Sequence, residues 1–114
     1  MKTIANNPGE YSYVIGPYRD PVNTVSPGET FAIETLDAFE NKIDSSDADI
    51  TKLIQVPYVN PLTGPIHVEG AKKGDTLAVT IESIEATRDY AVSAIIPDFG
   101  GLCSTVFTRT LNPT

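Results

Sequence analysis

The chain has 114 residues and 12.3 kDa, one domain's length. At 40% hydrophobic residues and a mean hydropathy of -0.09 it falls with globular rather than disordered proteins. Eight Lys and Arg against fifteen Asp and Glu leave a net charge of -7, so there is no basic patch to neutralise phosphates, and nucleic-acid binding is excluded as a function class. No apolar run reaches the ~20 residues that a spanning helix needs, so no membrane partner is expected. Residues 1–10 lack the apolar stretch of a secretory signal. Cys103 is the single cysteine, which rules out an intrachain disulfide and makes a reducing cytoplasm the simplest compartment.

Nine Pro and eight Gly cut the chain into short pieces. In chain order, Tyr11-Ser12-Tyr13-Val14-Ile15 and residues 31–36 alternate apolar and polar residues, the pattern of half-buried strands. Residues 45–54 hold the one expected helix, short, capped by Ser45 or Ser46 and limited by Pro57. Residues 66–69, 77–84 and 90–96 again read as strands. In 77–84, Leu77, Val79 and Ile81 share one side and Ala78, Thr80 and Glu82 the other. Many short strands between Gly/Pro turns predict a single, mainly β domain over 1–114, an antiparallel sandwich of jelly-roll-like form with at most one short helix. Pro27-Gly28-Glu29-Thr30 and Lys73-Gly74-Asp75-Thr76 match position by position, each ahead of an alternating strand. In both, Gly suits a positive φ and the acid can accept from nearby backbone donors.

The chemistry on offer is sparse. His67, the only histidine, sits between Ile66 and Val68 and is expected at the rim of a strand. Cys103 follows Gly100-Gly101-Leu102 with no neighbouring base and reads as a small buried or loop residue. Asp44, Asp47 and Asp49 lack the glycine and closing glutamate of a calcium loop and read as solvated, helix-capping acids. Glu34 and Asp37 differ, because they close the first alternating strand in Glu34-Thr35-Leu36-Asp37-Ala38-Phe39. A carboxylate at a strand end beside an aromatic is a candidate site group, with desolvation expected to raise its pKa. A turn acid is the alternative.

Residues 62–81, Leu62-Thr63-Gly64-Pro65-Ile66-His67-Val68-Glu69-Gly70-Ala71-Lys72-Lys73-Gly74-Asp75-Thr76 and the strand that follows, resemble the acetamidase/formamidase family. That family carries a Gly-Pro-[Ile/Val]-x-Val-x-Gly-Ala-x-x-Gly-Asp stretch ahead of a strand. Two further pieces agree in order: Glu34-Thr35-Leu36-Asp37 is similar to the family's strand ending in Thr-x-Asp, and Ile96-Pro97-Asp98-Phe99-Gly100 to its Ile-Pro-x-Phe-Gly segment. The resemblance implies addition of water to a short linear amide such as formamide or acetamide, giving a carboxylic acid and ammonia. It implies catalytic duty for Asp37 and, as a weaker companion, Glu34. No cofactor is implied with certainty, and room is left for a divalent metal in the complete enzyme. Family members are much longer, and their later Gly-Asp-His-Ala-x-Gln-Gly-Asp-Gly-Glu type segment has no counterpart here. The chain is therefore expected to correspond to the N-terminal portion of such an enzyme and to be inactive alone. Its expected partners are a small amide and either further copies of itself or the C-terminal portion. The competing reading is a non-catalytic β-sandwich that assembles through the apolar stretches 11–18 and 95–99.

Overall fold

The computed structural model describes residues 1–96 and 99–101; Cys103 and the Pro97-Asp98 pair lie outside them. The elements in order are β1 (Lys2–Ile4), β2 (Asn23–Val25), β3 (Phe31–Ile33), α1 (Ile50–Leu53) and β4 (Ile66–Val68). The described chain is thus mainly non-helical, with few strands and one short helix.

Pairing departs from expectation. β1 pairs with β3 in parallel, Lys2 opposite Phe31 and Ile4 opposite Ile33, and β2 pairs with β4 in parallel, Asn23 opposite Ile66 and Val25 opposite Val68. Among the described residues the antiparallel contact is an isolated bridge, Ser12 to Leu62, with N–H···O distances of 3.1 and 2.7 Å. The reason lies in the connections. Antiparallel neighbours usually come from hairpins, whereas segments 5–30 and 26–65 separate the strands that pair here, long enough for the crossovers that parallel pairs require. β1 and β2 carry no alternating signal and owe their strand form to these distant partners.

β3 ends three residues short of the expected span. Glu34 still donates its N–H to the Ile4 carbonyl (3.0 Å), but its own carbonyl accepts from the Thr63 hydroxyl at 2.6 Å, which closes the ladder. β4 matches its expected position. The helix is shorter than expected and capped by Asp49, whose carboxylate accepts from the Thr51 N–H at 3.2 Å and the Thr51 hydroxyl at 2.6 Å. The two serines sit in the preceding turn, where the Ala48 N–H reaches the Ser45 carbonyl (3.3 Å). The Thr51 hydroxyl and the Lys52 ammonium pull the Asp49 carboxyl down to about 2.

The matched turns form alike. At Gly28 φ is 79° and at Gly74 it is 102°, values that L side chains rarely adopt. Glu29 accepts from the Ser26 N–H at 2.8 Å, and Asp75 from the Lys72 N–H at 2.8 Å. The backbone closes each turn the same way, Glu29 N–H to Ser26 carbonyl and Asp75 N–H to Lys72 carbonyl. The first turn feeds β3. The second feeds residues 77–84, which run without any ladder among the described residues.

Burial is thin. Among the described residues the buried hydrophobic side chains are Ile4, Val25, Ile43 and Ile50, one each from β1, β2, the loop before α1 and α1 itself.

Candidate functional site

Beyond β3 the chain turns sharply over residues 37–42, and Asp37 organises that turn. Its Oδ1 accepts from the backbone N–H of Phe39 at 2.9 Å and of Asn41 at 2.7 Å. The Asn41 side-chain carbonyl returns the bond, accepting from the Asp37 N–H at 3.3 Å. These bonds hold two consecutive left-handed residues, Glu40 at φ 56° and Asn41 at φ 57°, a conformation that costs an L residue about 1–2 kcal/mol. The other carboxylate oxygen, Oδ2, accepts from Arg88 Nη2 at 2.8 Å. Arg88 itself lies over the Tyr90 ring, 4.8 Å from its centroid.

The electrostatics correct one expectation. Burial does push the Asp37 carboxyl up, but the Arg88 guanidinium and the N–H groups of Asn41 and Phe39 together outweigh it and hold the group below its ordinary value. Asp37 is a fixed anion at neutral pH.

A second cluster leans on the same turn. The Tyr13 hydroxyl donates to Glu40, whose other oxygen pairs with Lys42 Nζ at 2.9 Å, and Tyr13 meets Tyr58 edge to face, centroids 5.3 Å apart. Partial burial and the Glu40 hydrogen bond push the Tyr13 phenol up to about 12, while the Tyr13 hydroxyl and Lys42 lower Glu40. The turn therefore presents two anions and a phenol that keeps its proton.

Glu34 is not drawn into this cluster. It is exposed, and one carboxylate oxygen accepts from the Asn6 N–H at 3.4 Å. It shares no hydrogen-bond partner with Asp37. His67 is exposed on β4, as expected, and borders an open groove of about 310 Å³ with Pro21, Lys72, Asp75 and Leu77. Among the described residues no three His, Cys, Asp or Glu side chains converge to hold a metal ion, and no long apolar helix crosses a membrane. Arg88, Tyr13 and Glu40 went unnoticed in the sequence. The one available signal was that Arg88 is the lone base between Lys73 and Arg109.

Comparison with known proteins sets this turn in context. Residues 16–110 match the model of the acetamidase/formamidase family. A formamidase of Methylophilus methylotrophus is 38% identical over 66 residues, covering 57% of this chain and 16% of that protein. An acetamidase of Mycolicibacterium smegmatis is 39% identical over 62 residues, 54% of this chain and 15% of that one. The crystal structure of an acetamidase from Yersinia enterocolitica superimposes with a TM-score of 0.79 at 39% identity, over 99% of this chain and 36% of its own. The chain thus spans the smaller part of each relative it matches.

Proposed function

Because the chain belongs to the acetamidase/formamidase family, we propose that it forms part of an amidohydrolase that adds water to a short linear amide, formamide or acetamide, and releases a carboxylic acid and ammonia. The observation that carries this reading is the family match over residues 16–110, supported by a superposition on an acetamidase that takes in 99% of the chain. Antiparallel, jelly-roll-like sandwich layers belong to the assembled enzyme, whose working place is the cytoplasm and whose form is homo-oligomeric.

Hydrolysis joins the water oxygen to the carbonyl carbon, breaks the C–N bond and moves a proton from water to the departing nitrogen. It therefore needs one group to accept a proton and one to deliver it. Asp37 serves as an anion: it accepts rather than donates, and it stabilises the positive charge that develops on the leaving nitrogen. Glu34, exposed and held by one long hydrogen bond, is the weaker companion carboxylate.

The test is ammonia release from formamide and acetamide, measured for this chain alone and for the chain assembled with the remaining part of an acetamidase. Release by the assembly and none by the chain alone is expected. An assembled, folded protein that frees no ammonia from either amide defeats the proposal.

A further inference from the structure

The Asp37 carboxylate is close to saturated with donors. An ionised carboxylate offers about four lone-pair sites. Oδ1 takes two, the backbone N–H groups of Phe39 at 2.9 Å and Asn41 at 2.7 Å, and Oδ2 takes Arg88 Nη2 at 2.8 Å. Among the described residues the acceptor site left over is therefore on Oδ2. The two oxygens are held from different places. The turn fixes Oδ1 through residues two and four positions away, whereas the donor on Oδ2 comes from 51 positions along the chain. The Arg88 and Asp37 side chains are 25% and 19% exposed, open enough for a small solute yet screened less than a pair on an open surface.

Arg88 is itself constrained. Its guanidinium lies over the Tyr90 ring, 4.8 Å from the centroid. A planar, permanently charged fork stacked on an aromatic face has few ways to turn while one nitrogen stays on Oδ2. The other charged groups of the turn answer each other: Lys42 pairs with Glu40 at 2.9 Å, and Glu40 takes the Tyr13 hydroxyl. The cation that meets Asp37 is Arg88, and with the two turn N–H groups it keeps the carboxyl ionised against partial burial.

We propose that Arg88 is a positioning residue for the amide hydrolysis: held on Tyr90, it fills one site of Asp37 Oδ2 and leaves the other as the single acceptor for an N–H of the amide nitrogen. The proposal rests on the reading above, in which Asp37 is the anion at the leaving nitrogen, and adds how that anion is aimed. Arg88 acts on the reaction through Asp37.

The experiment compares wild type with Arg88→Gln, Arg88→Lys and Asp37→Asn in the 114-residue chain assembled with the remaining part of an acetamidase, following ammonia release from formamide against pH. Lys52→Gln, which removes a cation from α1, is the control and should leave turnover unchanged. Titration of the Asp37 carboxyl carbon by NMR in the chain alone reads the pair without reference to activity. Arg88→Gln should lower kcat about tenfold or more, the scale of a misplaced reacting group, with KM unchanged within about twofold. Its Asp37 titration and the acid limb of its kcat profile should both move to higher pH, because the carboxyl protonates more readily without the guanidinium. Arg88→Lys restores the charge and should return the acid limb toward wild type, but recover kcat only in part, since an ammonium lacks the stacked planar fork. A residue that merely stapled the turn to the segment around Tyr90 would lower thermal stability and leave the acid limb in place. An Asp37 titration or an acid limb that does not move in Arg88→Gln overturns the proposal, as does normal kcat in Arg88→Gln beside an impaired Asp37→Asn; the amidase reading then stands. Near-normal turnover of Asp37→Asn overturns the role of Asp37 and that of Arg88 with it, again with the amidase activity intact. A folded wild-type assembly that frees no ammonia defeats the amidase reading itself, and this proposal falls with it.

Discussion

Asp37→Ala and Asp37→Asn separate two duties of one carboxylate. The side chain is 19% exposed, accepts two turn N–H groups on Oδ1 and meets Arg88 on Oδ2. Asparagine keeps an oxygen where Oδ1 stands, so the turn survives, but it sets an amide NH2 group against the guanidinium and removes the charge. Alanine removes the turn acceptors as well. At about 1 kcal/mol net for each lost hydrogen bond, alanine costs about 2 kcal/mol through the turn alone. For a chain of this length that is a fall of about 8 °C in Tm, and asparagine should cost less. The pH dependence has a definite sign. The folded carboxyl lies below its unperturbed value of 3.8, so its contribution is complete above that value and is lost as pH falls through the folded pKa. The gap between wild type and Asp37→Asn should be open at neutral pH and close in acid. In the assembled enzyme Asp37→Asn should also lower turnover by ~10²-fold, the scale of a lost acid–base or charge-stabilising group. Thermal unfolding followed by circular dichroism, with ammonia release on the same samples, measures all three. An alanine variant no less stable than the asparagine one, or a gap that persists unchanged into acid, refutes the account of the turn. Near-normal turnover of Asp37→Asn leaves Asp37 a turn acid only.

Three further outcomes are expected. Ile43 is 1% exposed, and Ile43→Ala should destabilise by about 2–4 kcal/mol in urea unfolding, whereas Val79→Ala, at 75% exposed, should be neutral in the free chain. In an ultraviolet absorbance titration of the five tyrosines, one should ionise near 12, vanish in Tyr13→Phe and move down in Glu40→Gln, because part of the rise at Tyr13 comes from Glu40; an unmoved titration would show that the Glu40 bond is not made. Gly28→Ala meets no atom within 4 Å, so its cost should be the backbone strain of a positive φ alone, about 1 kcal/mol by thermal unfolding.

By itself the sequence determined what neighbours three or four residues apart decide. The two glycine turns with their bracing acids, the position of β4, the single short helix and the exposed histidine all follow from local hydrogen bonds and local alternation. The Thr-x-Asp, Gly-Pro and Ile-Pro-x-Phe-Gly segments, in that family's order, were together enough to reach the family. Tertiary structure decided what depends on distant partners. β1 and β2 exist because β3 and β4 lie beside them, and their parallel sense follows from long connections rather than hairpins. The charge state of Asp37 is set by Arg88, 51 residues away along the chain, and that of Tyr13 by Glu40, so a carboxylate that local sequence would desolvate is instead held as an anion. The alternation in 77–84 predicts a half-buried strand, yet among the described residues the segment joins no ladder and is exposed. Alternation carries no information on which segment supplies a neighbour, because a ladder is a contact between two segments and only one of them is written there.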